Sequence, residues 1–411
     1  MKNIRNILIM LCLLALFSAC GLPAAASPAG SEDTFSGGED SQAEQAIPVP
    51  DEKSGDLIPD GVLVSTGMDN GLSYLDKNGA LQQQIETPGV SYINPEDVAI
   101  AGAVIPGGPF PPLVFRNWMP EQALSVNDNG NITIRRQTDS FLAMVAAPGT
   151  PALAFSEVLI NENNFPHGFL YAANPGNLDS VPAFFNLVDD PSYWALKPVG
   201  IRTVAGEAQG VWYVKTAWGI GGADLIFPMN RGLYFFDLTN GDNTKFLDDE
   251  YSLQGISPDL TFAAASRNTS AGSLGLTAFE LSSGKEVTFV LDPATDRGAG
   301  FAVFSPNNRF AAWLEASGSM ISDPYDFQTR IRIGDTQSGG VIQALNDSDM
   351  LPLITGEMVS MMRPVGWLDD QTLLIEVRGE NWQDATLLRF ALNDSKLSLF
   401  ASGSFLAFGY Q

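Results

Sequence analysis

Residues 276–290 read Leu-Thr-Ala-Phe-Glu-Leu-Ser-Ser-Gly-Lys-Glu-Val-Thr-Phe-Val. Two short runs of alternating apolar residues flank a polar Ser-Ser-Gly turn, a pattern typical of a β-hairpin. Similar hairpins are centred on Gly79, Gly130, Gly241, Gly339 and Ser395, and a weaker copy spans residues 184–190. Because one unit recurs along the chain, we expect a repeat fold.

A second motif lies upstream of the later hairpins. An apolar strand enters a tight turn made of Pro and Asp or Asn, and a second apolar strand leaves it. The motif covers residues 255–265 (Gly-Ile-Ser-Pro-Asp-Leu-Thr-Phe-Ala-Ala-Ala), 303–313 and 365–375. These segments resemble the blades of TolB-type, WD-repeat-like β-propellers. The resemblance implies a strand order of inner strand A, turn, strand B, loop, and hairpin strands C and D.

The spacing of the units predicts an all-β β-propeller. We expect seven blades of four antiparallel strands, with six or eight blades as alternatives. Residues 62–86 supply only three strands before the second unit begins, and residues 404–410 add one apolar strand after the last hairpin. We expect this C-terminal strand to complete the first blade and close the ring, so that no sheet edge stays open.

The N-terminus has the features of a secretion signal. Lys2 and Arg5 precede an apolar run over residues 7–17, which is shorter than the roughly 20 residues that a membrane-spanning helix needs. Residues 16–21 (Leu-Phe-Ser-Ala-Cys-Gly) resemble a bacterial lipobox. The resemblance implies that residues 1–20 form a lipoprotein signal peptide and that Cys20 is acylated, for example with palmitate. Ordinary cleavage near Ala24 to Ala26, without a lipid, is the alternative.

Residues 21–60 are rich in Gly, Ala, Ser, Pro and acidic residues, with almost no aromatics. Such a composition cannot bury enough apolar surface to offset its ordering entropy, so we expect a disordered acidic tether, or a passive leader as the alternative. The propeller domain then covers residues 61–411. We expect a monomer in the cell envelope, anchored by lipid on the extracytoplasmic side of the membrane.

Composition excludes several function classes. The formal charge of −25 repels phosphate backbones and argues against nucleic-acid binding. His167 is the only histidine and lies in an Asn-rich stretch, so we interpret it as a solvated loop residue. One isolated histidine supports no multi-histidine metal site, and no histidine follows Ser273, whose segment is the nearest match to a Gly-x-Ser-x-Gly elbow. We therefore expect no catalytic residue of these types, no metal and no cofactor.

The connections between strands B and C are long and varied, whereas the C–D turns are short. We assign the B–C loops to residues 105–112, 161–168, 216–232, 316–329 and 378–384. In a propeller these loops share one face, and insertions confined to one face are typical of a binding surface. The candidate binding face comprises Trp218, Asp224, Arg231, Asp323, Tyr325, Asp326, Arg378, Glu380 and Trp382. Alternatively, the loops became long and varied without any function, and Trp218 and Trp382 pack against their own blades.

Two functions remain open. The first is a binding or scaffolding module for an envelope protein, peptide or glycan. The second is a propeller enzyme, such as a lyase or glycosidase that uses carboxylates and arginine. We favour binding and keep the enzyme as the alternative. The enzyme hypothesis predicts acidic, Arg or Tyr side chains that converge in the funnel with shifted pKa values, whereas the binding hypothesis predicts a broad face without such a cluster.

Overall fold

The computed structural model describes residues 57–65, 71–86, 95–117, 123–128, 131–137, 141–160, 166–178, 180–187, 194–217, 227, 230–267, 275–289, 297–318, 327–380 and 385–411. The chain divides into two units, residues 1–45 and 46–411, and every described residue belongs to the second. The predicted signal peptide with Cys20 and nearly all of the predicted tether therefore lie outside the described residues. Within the described ranges, no helix is long and apolar enough to span a bilayer.

The described strands form seven four-stranded antiparallel sheets, numbered here from the N-terminus. The strands of each sheet are named in order from the innermost to the outermost. Sheet 1 contains β28 (Ser404–Gly409), β1 (Gly61–Ser65), β2 (Gly71–Asp76) and β3 (Leu81–Glu86). Sheet 2 contains β4 (Val98–Ile100), β5 (Leu113–Asn117), β6 (Ala123–Asp128) and β7 (Asn131–Gln137). Sheet 3 contains β8 (Phe141–Ala146), β9 (Leu153–Ile160), β10 (Pro166–Ala173) and β11 (Phe185–Leu187).

The remaining sheets repeat the same meander. Sheet 4 contains β12 (Trp194–Val204), β13 (Glu207–Ala217), β14 (Asn230–Asp237) and β15 (Asn243–Leu247). Sheet 5 contains β16 (Tyr251–Ile256), β17 (Phe262–Arg267), β18 (Leu276–Glu280) and β19 (Glu286–Phe289). Sheet 6 contains β20 (Arg297–Phe304), β21 (Phe310–Ser317), β22 (Gln328–Asp335) and β23 (Val341–Asn346). Sheet 7 contains β24 (Met361–Asp369), β25 (Thr372–Arg378), β26 (Ala385–Ala391) and β27 (Lys396–Ser402).

Helical structure within the described residues is limited to short segments. The single-turn helix α1 (Asp347–Met350) continues into a 3₁₀ turn (Leu351–Leu353), and a second 3₁₀ turn (Pro95–Asp97) precedes β4. Consecutive sheets pack against each other around the ring, with the innermost strands in contact at most of the junctions. The prediction of an all-β β-propeller is confirmed.

The C-terminal strand closes the ring. β28 pairs antiparallel with β1, so that Gly61 lies opposite Gly409 and Ser65 opposite Ser404. The last strand of the chain is thus the innermost strand of the first sheet. The predicted closure is confirmed, and its physical basis is that β1 would otherwise present an unpaired row of backbone groups.

Local turn chemistry explains why the hairpins recur. Gly79, Gly241, Gly284, Gly339 and Ser395, five of the predicted hairpin centres, all have positive φ angles. The Ser-Pro-Asp motif forms the predicted tight turn between two strands. The Oγ atom of Ser257 stabilises this turn by accepting hydrogen bonds from the backbone N–H groups of Thr261 and Phe262 at 3.0 and 2.8 Å. Ser305 accepts from Phe310 in the same way at 3.0 Å. These side chains replace backbone partners that a tight turn lacks.

The core lies in the seams between sheets. In the seam between sheets 5 and 6, the fully buried Trp313 packs on Phe289 with ring centroids 4.7 Å apart. The innermost strands approach so closely that Gly255 cannot carry a side chain, because a Cβ atom there would lie 1.9 Å from the carbonyl oxygen of Ala302. Burying each large apolar side chain stabilises the ring by about 1.5–3 kcal/mol.

Three local predictions need correction. Residues 105–112 connect β4 to β5, the first and second strands of sheet 2, and are therefore an A–B rather than a B–C connection. The weak repeat at residues 184–190 contributes only the outermost strand β11, whose partner β10 is separated from it by a long connection. His167 lies within β10 opposite Leu159, half-buried, and not in a loop.

Candidate functional site

The connections that follow the second and fourth strands of each sheet lie on one side of the ring, which we call the loop face. The A–B and C–D turns lie on the other side, the turn face. Three of the nine predicted binding residues, Arg231, Arg378 and Glu380, belong to the described part of the chain. The other six lie outside the described residues: Trp218, Asp224, Asp323, Tyr325, Asp326 and Trp382.

Arg231 and Glu380 occupy exposed positions on the loop face. Arg231 lies near the start of β14, directly opposite Lys215 of β13. Glu380 follows the end of β25. Both positions border B–C connections, so both lie on the loop face of the ring.

Arg378 lies on the same face but its side chain reaches inward. Its Nη2 atom donates to Oε1 of Glu376 at 2.9 Å and to Oγ of Ser404 at 3.0 Å. Ser404 begins the closing strand β28, so Arg378 connects sheet 7 to sheet 1. This contact gives Arg378 a role in joining the ends of the chain.

Glu376 is the centre of this junction. Its side chain is fully buried, and its Oε2 atom accepts a hydrogen bond from the backbone N–H of Phe405 at 2.9 Å. Arg363 of β24 approaches the same oxygen at 3.5 Å. One buried carboxylate is thus bound by two guanidinium groups and by the closing strand, which satisfies its charge away from solvent.

A second buried carboxylate lies in sheet 6. Glu315 of β21 is fully buried and pairs with Nε of Arg330 and Nε of Arg332, each at 3.2 Å. Arg330 is the residue directly opposite Glu315 in the ladder. Cross-strand pairing places the charges on the same side of the sheet, where their attraction is little screened by water.

Sheet 2 contains a third buried pair near its inner edge. Nη1 of Arg116 lies 3.6 Å from Oδ1 of Asp97, and both side chains are buried. Burial lowers the pKa of the Arg116 guanidinium, and the carboxylate of Asp97 opposes this change. The three pairs belong to three different sheets.

Sequence reasoning missed Glu315 and Glu376. The available signal was an acidic residue inside an otherwise apolar second strand, in Ala-Ala-Trp-Leu-Glu-Ala and Leu-Leu-Ile-Glu-Val-Arg. A charged residue at such a position must find a partner when the sheet is buried on both sides. Among the described residues, no three His, Cys, Asp or Glu side chains are grouped so that they could hold a metal ion.

Phe227 is an unexpected feature of the loop face. It belongs to the B–C connection of sheet 4, but its ring packs on the inner strand β20 of sheet 6. A Cβ atom at Gly300 would lie 2.3 Å from this ring, so glycine is required there. Phe227 also lies 5.8 Å from Phe301, measured between ring centroids. One B–C connection therefore reaches the inner strand of a sheet that is not its neighbour.

No family model matches the sequence, and no curated protein matches it. Solved structures with a similar fold include an oligogalacturonate lyase in complex with manganese, at 10% identity and a TM-score of 0.50, covering 82% of this chain and 83% of that one. A prolyl endopeptidase has 9% identity and a TM-score of 0.51, covering 85% of this chain and 50% of that one. TolB from Acinetobacter baumannii has 11% identity and a TM-score of 0.40, covering 85% and 80%. At these identities the likeness concerns the propeller fold and carries no activity with it.

Proposed function

We propose that the protein is a lipid-anchored, extracytoplasmic β-propeller, with each of the seven sheets as one blade, that binds an envelope protein, peptide or glycan through its loop face. The observation that carries this proposal is the state of the buried acids. Glu315 and Glu376 are each held by two arginines. Both carboxylates are fully buried and contact arginines of the same or the neighbouring strand, so they join strands inside the fold.

The enzymatic alternative requires acidic and basic side chains that converge on one substrate position. The three ion pairs of Asp97, Glu315 and Glu376 instead belong to different sheets, and all three acids are buried. The exposed Arg231 and Glu380 are suited to recognition at a surface. Binding is therefore the function that the described geometry supports best.

Membrane attachment rests on the lipobox-like segment that ends at Cys20. A cleaved and acylated Cys20 would place the propeller at the end of an acidic tether of about 40 residues, whose like charges favour extension. Replacing Cys20 with Ser should abolish incorporation of labelled palmitate and move the protein out of the membrane fraction. Unchanged membrane association of the Cys20→Ser variant would contradict lipid anchoring.

Photo-crosslinking from single positions tests the binding face. The benzophenone amino acid p-benzoylphenylalanine is placed at Arg231 or Glu380 on the loop face, and at Lys285, an exposed residue in a C–D turn, as the matched control. The proposal expects both loop-face positions to crosslink the same envelope component in intact cells, and the Lys285 position not to do so. Crosslinking from Lys285 alone would contradict the assignment of the face. Turnover of an envelope polymer by the purified protein, without crosslinked product, would favour the enzyme.

A further inference from the structure

A cavity of about 270 Å³ lies on the inner side of the ring. Its walls come from the inner strands β28, β4, β8, β12 and β16, and from A–B turns, so it lies toward the turn face. Its twenty lining residues include Met144, Gly200, Ser257, Leu260, Ala407 and Tyr410. None of these side chains carries a charge at neutral pH, although the whole chain has a formal charge of −25.

The walls of this cavity are built by the fold. Leu260, in the Ser-Pro-Asp turn, packs over Gly200 of β12. The turn is held by the Oγ atom of Ser257, which donates to Asp259 at 2.6 Å while it accepts from the following N–H groups. Small residues such as Ala146 and Ala407 leave space on the inner strands. The cavity is therefore preformed, because its lining belongs to hydrogen-bonded strands and turns.

Tyr410 supplies a polar side-chain group to this uncharged site. It lines the cavity and also an adjoining cavity of about 140 Å³. Its backbone is fixed, because its carbonyl oxygen accepts a hydrogen bond from the N–H of Val104 at 2.7 Å. Its hydroxyl makes no hydrogen bond with any other described residue. Burial raises the pKa of this hydroxyl above its ordinary value, so it stays protonated and can donate.

We propose that this cavity binds a small, neutral, largely apolar molecule with one acceptor group that receives a hydrogen bond from the hydroxyl of Tyr410. The absence of charged side chains from the lining disfavours ions, since a buried charge needs a partner. The volume is slightly below the roughly 300–1,000 Å³ of sites for drug-sized ligands, so the occupant has one or two rings. This site is separate from the loop face, so its test does not depend on whether a partner binds to that face.

Two probes of nearly equal shape test the proposal on the full chain. Benzophenone carries a carbonyl acceptor, and diphenylmethane lacks one. Binding is followed by NMR of ¹³C-methyl methionine, because Met144 lines the cavity whereas Met358 is 50% exposed elsewhere. Met144→Leu and Met358→Leu variants assign the two signals. We expect a saturable shift at Met144 only, and tighter binding of benzophenone by about fivefold, the size of one net hydrogen bond.

Two variants make the test specific. In Tyr410→Phe the two probes should bind within twofold of each other, because only the donor is lost. In Ala407→Leu, at an unchanged melting temperature, both probes should lose affinity because the added side chain fills the cavity. Equal shifts at Met144 and Met358, or no saturable shift at Met144 up to the solubility limit, would overturn the site. Equal affinity of both probes for the unmodified protein would overturn the role of Tyr410.

Discussion

Replacing Glu376 with Gln should destabilise the closure of the ring. The native carboxylate is fully buried and contacts Arg378 at 2.9 Å, Arg363 at 3.5 Å and the N–H of Phe405 at 2.9 Å. The variant keeps the shape but leaves two guanidinium groups beside a neutral amide. Breaking a buried ion pair by removing one partner costs about 3–5 kcal/mol. This is a large part of the roughly 5–15 kcal/mol by which folded domains are stable.

The assay is denaturant unfolding followed by tryptophan fluorescence, with hydrogen exchange of β28 as a local readout. Glu250→Gln is the matched control, because Glu250 pairs with Arg267 at 2.6 Å where both side chains are about half exposed. An exposed pair contributes less than about 1 kcal/mol, so this control should unfold almost as the native protein does. Exchange at the Phe405 amide should accelerate only in Glu376→Gln. Equal unfolding free energies for the two variants, within about 1 kcal/mol, would refute the reasoning.

Further predictions concern stability. Deleting residues 404–411 should abolish cooperative melting in calorimetry. Burial of Phe405 and Leu406 alone contributes about 3–6 kcal/mol to the stability of the folded protein. An unchanged melting temperature would contradict the closure of the ring by β28. Gly255→Ala should lower the free energy of unfolding by about 3 kcal/mol, because the inner strands approach each other closely there. Gly241→Ala, where no atom lies within 4 Å, should lower it by only about 1 kcal/mol because of the positive φ. Equal losses in urea titrations would contradict the close approach of the inner strands. Desolvation acts to raise the pKa of Asp335, but hydrogen bonds from Arg309 and from backbone N–H groups hold it below 3.8. A lowered pKa adds stability that is complete above pH 3.8 and is lost as the pH falls through the lowered pKa. Asp335→Asn should therefore be less stable than the native protein at pH 7, and the difference should shrink as the pH falls through that range. A stability difference that does not depend on pH would exclude this linkage.

The sequence predicted much of the architecture, because the hairpin signals are local. Gly79, Gly241 and Gly284 stand where a turn needs a positive φ, and each lies between two alternating strands. The closing strand was also predictable, since the first unit lacked one strand and the chain ended with one to spare. The strand β4 spans only Val98–Ile100, which is too short for its sequence pattern to be recognised as a strand. The connection after it was therefore assigned to the wrong side of the ring.

The functional residues were harder to predict. The positions of Arg231 and Glu380 at the ends of strands follow from topology alone, which decides which end of a strand carries a loop. The inward contacts of Arg378 could not be predicted, since its partner Ser404 lies in a different sheet. Phe227 reaches the inner strand of sheet 6 from a loop of sheet 4, and no local pattern encodes such a contact.

By itself, the sequence determined the repeated sheet, its turns and the strand that joins the two ends, because each depends on residues a few positions apart and on strand number. The tertiary structure alone decided which acids are buried against arginines and which apolar side chains line a cavity around Tyr410. Those features depend on how neighbouring sheets approach one another. The distance between two sheets cannot be derived from the spacing of residues along either of them.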